Sequence, residues 1–457
     1  MLLHLKTTCI DERIHEFLAD DRIKIIVKHI VTMRNYISEL LGLIGKDVNI
    51  YGWIQNSRIV GSLIFLEVRD VSGVTQAVLF RKSNQELFDK LKKINRESVV
   101  RISGKVVESQ SKYGIEVQIS EVEILNESMA PLPLGIIDPV EADLETRLEN
   151  RFLDLRKPSK LAIFKIQSTI SNSIRNYFIE NGFIEIHTPK IVAAATEGGT
   201  ELFPVQYFER KAFLSQSPQL YKEIMMSAGF DKVFEIAPAF RAEEHNTTRH
   251  LNEFTSIDIE VSFVDDEGVM RILEDVIKVS ADSVGDKNKK ELDLLGKEPL
   301  NTNYNFKRIT YSEYIHMAKG KGFDIKDGDD LSTPILKGVG SDLREFYFIT
   351  RWPRDLKPFY VQPYDEKYSR GFDLQYGELE ITSGAQRVHN PEVLIENLKK
   401  KGLNPESFSF YIKAFQYGMP PHAGWAIGLE RLTMVLLDLN NIREATLFPR
   451  DRTRLTP

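Results

Sequence analysis

The stretch Arg241-Ala242-Glu243-Glu244-His245-Asn246-Thr247-Thr248-Arg249-His250-Leu251-Asn252-Glu253 gathers two arginines, two histidines and three glutamates between two apolar-patterned runs. Guanidinium forks match phosphate and carboxylate, so Arg241, Arg249 and His250 read as holders of an anion, with the acids orienting a basic group or a metal. A solvated, charged loop would show the same composition, and charge count alone favours that plainer reading. Other charges also stand where structure alone would not put them. Lys222 falls near the start of a helix opened by Ser217 as N-cap and Pro218 at N1, with Gln219 on the same face. A cation there opposes the helix dipole and reads as placed for an anion. Arg431 repeats that pattern in a helix beginning near Leu429. Asp373 and Glu380 lie in strand-patterned runs, where a buried acid is costly without a partner. They are candidate ligands for Mg²⁺, which takes one or two carboxylates.

These residues need elements to hold them. Val233–Ile236 and Phe254–Phe263 read as the strands of a hairpin around the charged loop. In the second strand Phe254, Ser256, Asp258, Glu260 and Ser262 alternate with Ile257, Ile259, Val261 and Phe263. Residues 160–181 carry Phe164, Ile166, Ile170, Ile174 and Phe178 at helical spacing, followed by a strand ending at Pro189. Thr196–Phe203, with paired glycines, reads as a mobile loop. Upstream, Val48–Gln55, Leu63–Val68, Thr75–Phe80, Ser98–Val107 and Ile115–Ile124 predict five short strands, with a helix after the third; this suits an OB-fold barrel. Pro131-Leu132-Pro133-Leu134 and Pro139 mark a stiff linker over 128–150. Residues 264–345 carry little signal and are expected to form a small insertion; the Lys326–Asp330 run there is a solvated turn, not a calcium loop. Residues 1–32 are either a helical extension or the product of an upstream start codon.

The chain has 457 residues and a net charge of −6, enough for two or three domains and against attachment to nucleic acid by bulk charge alone. A single cysteine, Cys9, rules out an internal disulfide and fits a reducing, cytoplasmic setting. No apolar run is long enough to span a bilayer, so no membrane partner is expected.

Phe240–Phe254 resembles motif 2 of class II aminoacyl-tRNA synthetases in the form used by the aspartyl and asparaginyl subgroup. Residues 160–189 resemble motif 1, and Gly418–Leu432 resembles motif 3. The barrel resembles the anticodon-binding domain of aspartyl-tRNA synthetases of the archaeal/eukaryotic type. The resemblance spans about residues 33 to 457. It implies an α+β fold: an antiparallel sheet flanked by helices (151–457) behind an N-terminal OB-fold (33–127). It implies a homodimer through the motif 1 helix and strand, with ATP as substrate, Mg²⁺, L-aspartate and tRNA-Asp, with tRNA-Asn as a second candidate.

Residue by residue, the resemblance implies that Arg241 binds the α-phosphate and that Glu243 orients adenine or the amino acid. His250 approaches the γ-phosphate, Phe254 stacks on adenine, and Arg431 lies against adenine and the γ-phosphate. Arg241 and Arg431 are the catalytic pair. Glu197 and Asp258 approach the substrate ammonium. Gln219, Lys222, Ser383 and Arg387 complete the aspartate site, with Lys222 and Arg387 at the side-chain carboxylate. Asp373, Glu380 and Ser383 hold Mg²⁺, and Glu380 also serves ATP. Phe65 stacks on an anticodon base, Gln76 bonds one, and Arg58 reaches the same loop; from residue type alone Phe65 reads as barrel core. Gln55 and the Ser109–Lys112 loop are where tRNA-Asp and tRNA-Asn would be told apart. Ala385, Ala423 and Ala426 stand where relatives commonly carry glycine. An asparaginyl-tRNA synthetase, disfavoured by Lys222, an ammonia-using asparagine synthetase and a non-catalytic tRNA-binding paralogue are the alternatives.

Overall fold

The computed structural model describes residues 34–137, 141–193, 201–245 and 247–457. The N-terminal extension, Glu197 and Asn246 lie outside the described residues. The chain divides after Glu141 into two compact units.

In the first unit, β1 (Asp47–Val60), β2 (Leu63–Arg69), β3 (Val74–Phe80), β4 (Val99–Glu108) and β5 (Ile115–Asn126) close into a barrel in the order β1-β2-β3-β5-β4. Strict alternation decides what faces inward. Ile64, Leu66 and Val68 of β2 are buried with Ile50, Ile54, Ile102 and Val117, while Phe65 and Glu67 point to the outer face. Phe65 is therefore not a core residue. The helix Gln85–Leu91, capped by Asn84, adds Phe88 and Leu91 to the barrel core. Burial of each such side chain stabilises by about 2–3 kcal/mol.

The second unit is built on an eight-stranded sheet. Its strands are β6 (Ile184–Glu185), β10 (Lys232–Phe240), β11 (Glu253–Ser262), β12 (Lys307–Thr310), β13 (Phe346–Thr350), β14 (Gly371–Tyr376), β15 (Leu379–Gln386) and β16 (His422–Gly428). They run in the order β12-β13-β14-β15-β16-β11-β10-β6, antiparallel except for the β12·β13 and β10·β6 pairs. The short strands β7 (Ile191–Val192), β8 (Pro204–Tyr207) and β9 (Arg210–Leu214) form a separate sheet.

One face of the large sheet is apolar. Ile163, Ile166, Ile170, Ile174 and Phe178 of α1 (Pro158–Glu180) pack with Phe234, Ile257, Ile259, Trp425 and Ile427. Pro158 starts α1 at a position that needs no N–H. The opposite face carries the charged residues of the same strands. There α2 (Gln219–Ser227) lies over them; α3 (Asp266–Lys287) and α4 (Leu429–Leu437), which leaves the end of β16, belong to the apolar side.

Three expectations change. The stretch 264–345 is not an appendage: Val269, Met270, Leu273, Val276 and Ile277 of α3 are part of the main core, and β12 extends the sheet. Scattered acids had masked an amphipathic helix that buries only one face. Phe263 leaves the β11 alternation with φ +60° and is 74% exposed, because the strand ends at Ser262. The helix bearing Lys222 begins at Gln219, with Pro218 rather than Ser217 as N-cap; Ser217 Oγ still accepts from the Gln219 N–H at 3.4 Å.

Candidate active site

The polar face of the sheet is assembled by register. Asp258 on β11 pairs with Glu235 on β10 and Ala426 on β16; Ala426 pairs with Ser383 on β15, and Ser383 with Asp373 on β14. One residue from each of five strands thus forms a row of oxygens interrupted by a methyl group. The neighbouring row runs Glu260, Gly424, Ala385, Gly371. A Cβ on Gly424 would fall 2.3 Å from Glu260 Oε2 and from the Ile259 carbonyl, so glycine is required there. Above these rows lies a cleft of about 320 Å³.

One cluster lines it and a second reaches it through Gln219, Asp258 and Arg387; the two are separated along β11 by the four residue steps from Phe254 to Asp258, or about 13 Å of strand. The first comprises Arg241, Glu243, Arg249, His250, Phe254, Glu380 and Arg431. The Arg241 guanidinium sits 5.5 Å over the Phe254 ring. Arg431 donates to the carbonyls of Glu380 (3.0 Å) and Arg249 (3.3 Å); burial lowers its pKa against the attraction of Glu380. Arg249 pairs with Glu378. His250 Nδ1 lies 2.7 Å from Thr247 Oγ1. Burial, reinforced by Arg431, pushes the His250 pKa down to about 4, so its ring is neutral at pH 7.

The second cluster is a buried charge network. Lys222 Nζ donates to Asp258 Oδ1 (3.0 Å) and the Trp425 carbonyl (3.3 Å) and lies 3.6 Å from Glu260 Oε2. Arg387 grips both oxygens of Glu260, at 3.0 and 3.3 Å. Glu223 accepts from Gln219 (2.6 Å) and Tyr411 (2.7 Å) and meets His422 Nε2 at 3.0 Å. Burial works against a charged His422, but Glu223 outweighs it and the pKa rises. Three acids therefore face Lys222, Arg387 and His422.

Most of the predicted site residues converge here, with corrections. Lys222 does not line the cleft; it stands behind the wall, held by Asp258 and Glu260. Asp258 reaches the cleft with both oxygens engaged, the second by Ser256 Oγ at 2.6 Å. An early-helix lysine had read as facing a ligand anion, when the anions it faces belong to the protein's own strand. Asp373 likewise does not line the cleft: Lys357 Nζ bonds both its oxygens, at 2.8 and 2.7 Å. Glu380 and Ser383 do line it, and Ser383 Oγ bridges to Asp373 (2.6 Å) and Glu380 (3.1 Å). Among the described residues no group of three or more His, Cys, Asp or Glu is arranged for a metal. One open carboxylate and a hydroxyl still suit Mg²⁺, which completes its shell with phosphate and water.

Lys357, Glu223 and His422 were given no role by sequence reasoning. Glu223 had a signal, lying four residues from Gln219 on one helix face. Lys357 and His422 had none strong enough.

On the barrel, Arg58 lies 4.8 Å over the Phe65 ring and donates to Gln76 Oε1 at 3.2 Å; Gln76 donates to Glu116 at 2.8 Å. The three line an outer cavity together with Glu67, Gln110, Ser111, Lys112 and Tyr113. Gln55 does not join them. It lines a different cavity with Arg96, Glu97 and Pro131, because a bulge between Ile54 and Asn56 shifts the register of β1.

A nucleotide-sized cleft on an antiparallel sheet, walled by arginines, defines a class of protein, and sequence comparison agrees. Residues 143–452 match the family "tRNA synthetases class II (D, K and N)", and residues 48–125 match "OB-fold nucleic acid binding domain". The chain belongs to the class II tRNA synthetases of this D, K and N group. It is similar to an aspartate–tRNA(Asp) ligase of Picrophilus torridus, 55% identical over 93% of this chain and all of the relative. It is also similar to an aspartate–tRNA(Asp/Asn) ligase of Archaeoglobus fulgidus, 52% identical over 90% of this chain and 97% of the relative. Among solved structures, asparaginyl-tRNA synthetase from Pyrococcus horikoshii with asparaginyl-adenylate is similar, with a TM-score of 0.86 and 33% identity over 93% of this chain and 99% of that one. Among the described residues no helix is long and apolar enough to cross a membrane.

Proposed function

We propose that the chain ligates L-aspartate to tRNA-Asp at the expense of ATP. The observation that carries this reading is the pairing, in one cleft, of an arginine-rich end with an end closed by Arg387. At the first end Arg241 and Arg431 neutralise charge on the reacting phosphate, Phe254 stacks on adenine, Glu243 orients it, and neutral His250 donates a hydrogen bond to the γ-phosphate. At the other, Gln219 and Ser383 orient the amino acid and Arg387 receives its side-chain carboxylate. Lys222 raises the potential from behind Asp258 rather than by direct contact. An amide side chain would offer no carboxylate to the Arg387 donors that Glu260 leaves over, which favours aspartate over asparagine. The aspartate α-carboxylate attacks the α-phosphorus in line and pyrophosphate leaves; a hydroxyl of the terminal ribose of tRNA then takes the aspartyl group from the adenylate and AMP leaves. Glu380 and Ser383 would hold Mg²⁺, which supplies charge neutralisation on the triphosphate. Asp373 and Lys357 fix Ser383 from below. On the barrel, Phe65 stacks on an anticodon base while Arg58 and Gln76 bond base edges.

The homodimer would use α1 and β6, where Ile179 and Ile184 are exposed. A single cysteine suits work in the cytoplasm.

The test is aminoacylation with labelled aspartate, run separately on tRNA-Asp and tRNA-Asn transcripts. Charging of tRNA-Asp is the expected result, and if it is the sole tRNA charged the enzyme discriminates. Charging of both would make the enzyme a relaxed one that needs a downstream amidation of Asp-tRNA-Asn. Charging of neither by folded protein would remove the reading.

A further inference from the structure

We propose that Arg443 is a positioning residue for the ATP-side loop and that the segment 441–454 is the platform on which that loop sits; the inference rests on the ATP reading above. The loop between β10 and β11 carries Arg241, Arg249 and His250. At its base the Arg241 N–H donates to the Asn252 carbonyl at 2.9 Å. Farther out, its carbonyls are held from elsewhere. Thr247 O accepts from Arg443 Nη1 (2.8 Å) and Thr248 O from the Ile442 N–H (2.9 Å). Glu244 O accepts from Arg452 Nη1 at 3.1 Å.

Arg443 is itself fixed along its other edge. Nε and Nη2 both reach Asp451 Oδ2, at 2.8 and 2.6 Å. Asp451 Oδ1 accepts the N–H groups of Thr453 and Arg454, each at 2.9 Å. The platform is anchored in turn by Arg151, 1% exposed, which donates to the carbonyls of Thr446 (2.7 Å) and Leu447 (3.0 Å) and pairs with Asp154 (2.7 Å). Leu251 packs against Ile442 and Ala445.

The consequence for the cleft is a short relay. Asp451 fixes Arg443, Arg443 fixes the Thr247 backbone, and Thr247 Oγ1 holds His250 Nδ1 at 2.7 Å. A planar guanidinium bonds two partners in fixed relative directions; an ammonium on a flexible stem does not. The relay ends on the ATP cluster and bypasses the Arg387 end, so its loss should act on ATP and spare aspartate.

The experiment uses the full chain and the variants Arg443→Gln, Arg443→Lys and Asp451→Asn. ATP affinity is measured by calorimetric titration without amino acid, and KM for ATP and for aspartate by pyrophosphate exchange. The expected result for Arg443→Gln is an ATP affinity weakened about 10-fold with the aspartate KM within about 2-fold of wild type. Arg443→Lys and Asp451→Asn should fall between. Amide hydrogen exchange should accelerate over 247–251 and stay unchanged in β11 and β16. Parallel changes in both KM values, tracking lost thermal stability, would mean a merely structural role and overturn the proposal. Should Arg443→Gln not fold, Asp451→Asn decides: its Asn side chain can still accept the turn N–H groups, and unchanged ATP affinity in that variant overturns the proposal too. Failure of the wild type to bind ATP would instead refute the functional reading; wild type binding ATP but ignoring aspartate would refute only the amino-acid assignment.

Discussion

The barrel and the synthetase sheet solve opposite problems with the same alternation of strands. In the barrel every inward side chain of β2 is apolar and the polar residues face out, where Phe65, Arg58 and Gln76 gather. In the large sheet, β11 is buried on both faces: Ile257 and Ile259 against helices, Asp258 and Glu260 against Lys222 and Arg387. The barrel keeps its core and its outer polar face apart. In the sheet they are the same residues, since charges buried to shape a cleft must also be compensated for the protein to fold. Damage to the cleft network should therefore cost stability and activity together, and damage to the barrel face should cost recognition alone.

The largest expected effect tests that directly. Glu260 is fully buried and serves both Arg387 and Lys222. Glu260→Gln should destabilise the second unit by about 3–5 kcal/mol, the cost of leaving buried Arg387 without its anion, and should abolish aspartate-dependent exchange. In the barrel, Glu67 pairs with the largely exposed Lys112; Glu67→Gln should cost less than about 1 kcal/mol. Denaturant unfolding of both variants gives the comparison, and equal losses would break it.

A second test is the pH dependence of Glu430, which is buried at the start of α4 and accepts the Thr255 N–H with both oxygens at 3.1 Å. Burial, only partly offset by those bonds, raises its pKa from 4.5 to about 7. The folded state thus holds a proton that the unfolded chain releases, so stability falls as pH rises from 4.5 through 7 and is level above. Glu430→Gln stays neutral throughout. Its stability relative to wild type should improve across that window by on the order of 2–3 kcal/mol. Unfolding midpoints at pH 5 and pH 8 measure this; a constant offset between the two proteins would mean that the carboxyl is already ionised at pH 5.

What could be read in advance followed the same division. The barrel strands were legible because alternation and turn residues are local signals, and the β10–β11 hairpin was legible for the same reason. α3 was not, since acids scattered round it, some exposed and two (Asp266 and Glu274) buried against arginines, obscure the apolar stripe. Within the cleft, Arg241, His250, Glu380 and Arg431 were placed together by motif. The partners of Lys222 and Asp373 were not foreseeable, because each is chosen by tertiary register: β11 beneath α2, and Lys357 beside β14. A charge that opposes a helix dipole was correctly read as needing an anion. Only the fold says whether that anion is a ligand or the protein's own.

The smallest effect on stability, and the clearest separation, is expected at Phe65. Its ring lies on the outer face of β2 beneath Arg58, and the barrel core closes without it. Phe65→Ala should leave pyrophosphate exchange unchanged, because adenylate formation needs no tRNA. It should raise the KM for tRNA about 10- to 100-fold, the equivalent of one lost base–aromatic stack of ~1–3 kcal/mol. Phe65→Trp should restore most of that, since stacking needs a flat ring and not a particular one. A core role would show the reverse: Phe65→Ala would lower the barrel's unfolding midpoint as much as Phe88→Ala is expected to, and tryptophan would overpack rather than rescue. Equal loss in exchange and in tRNA charging would remove Phe65 from the reading face and, with it, the claim that this unit separates recognition from folding.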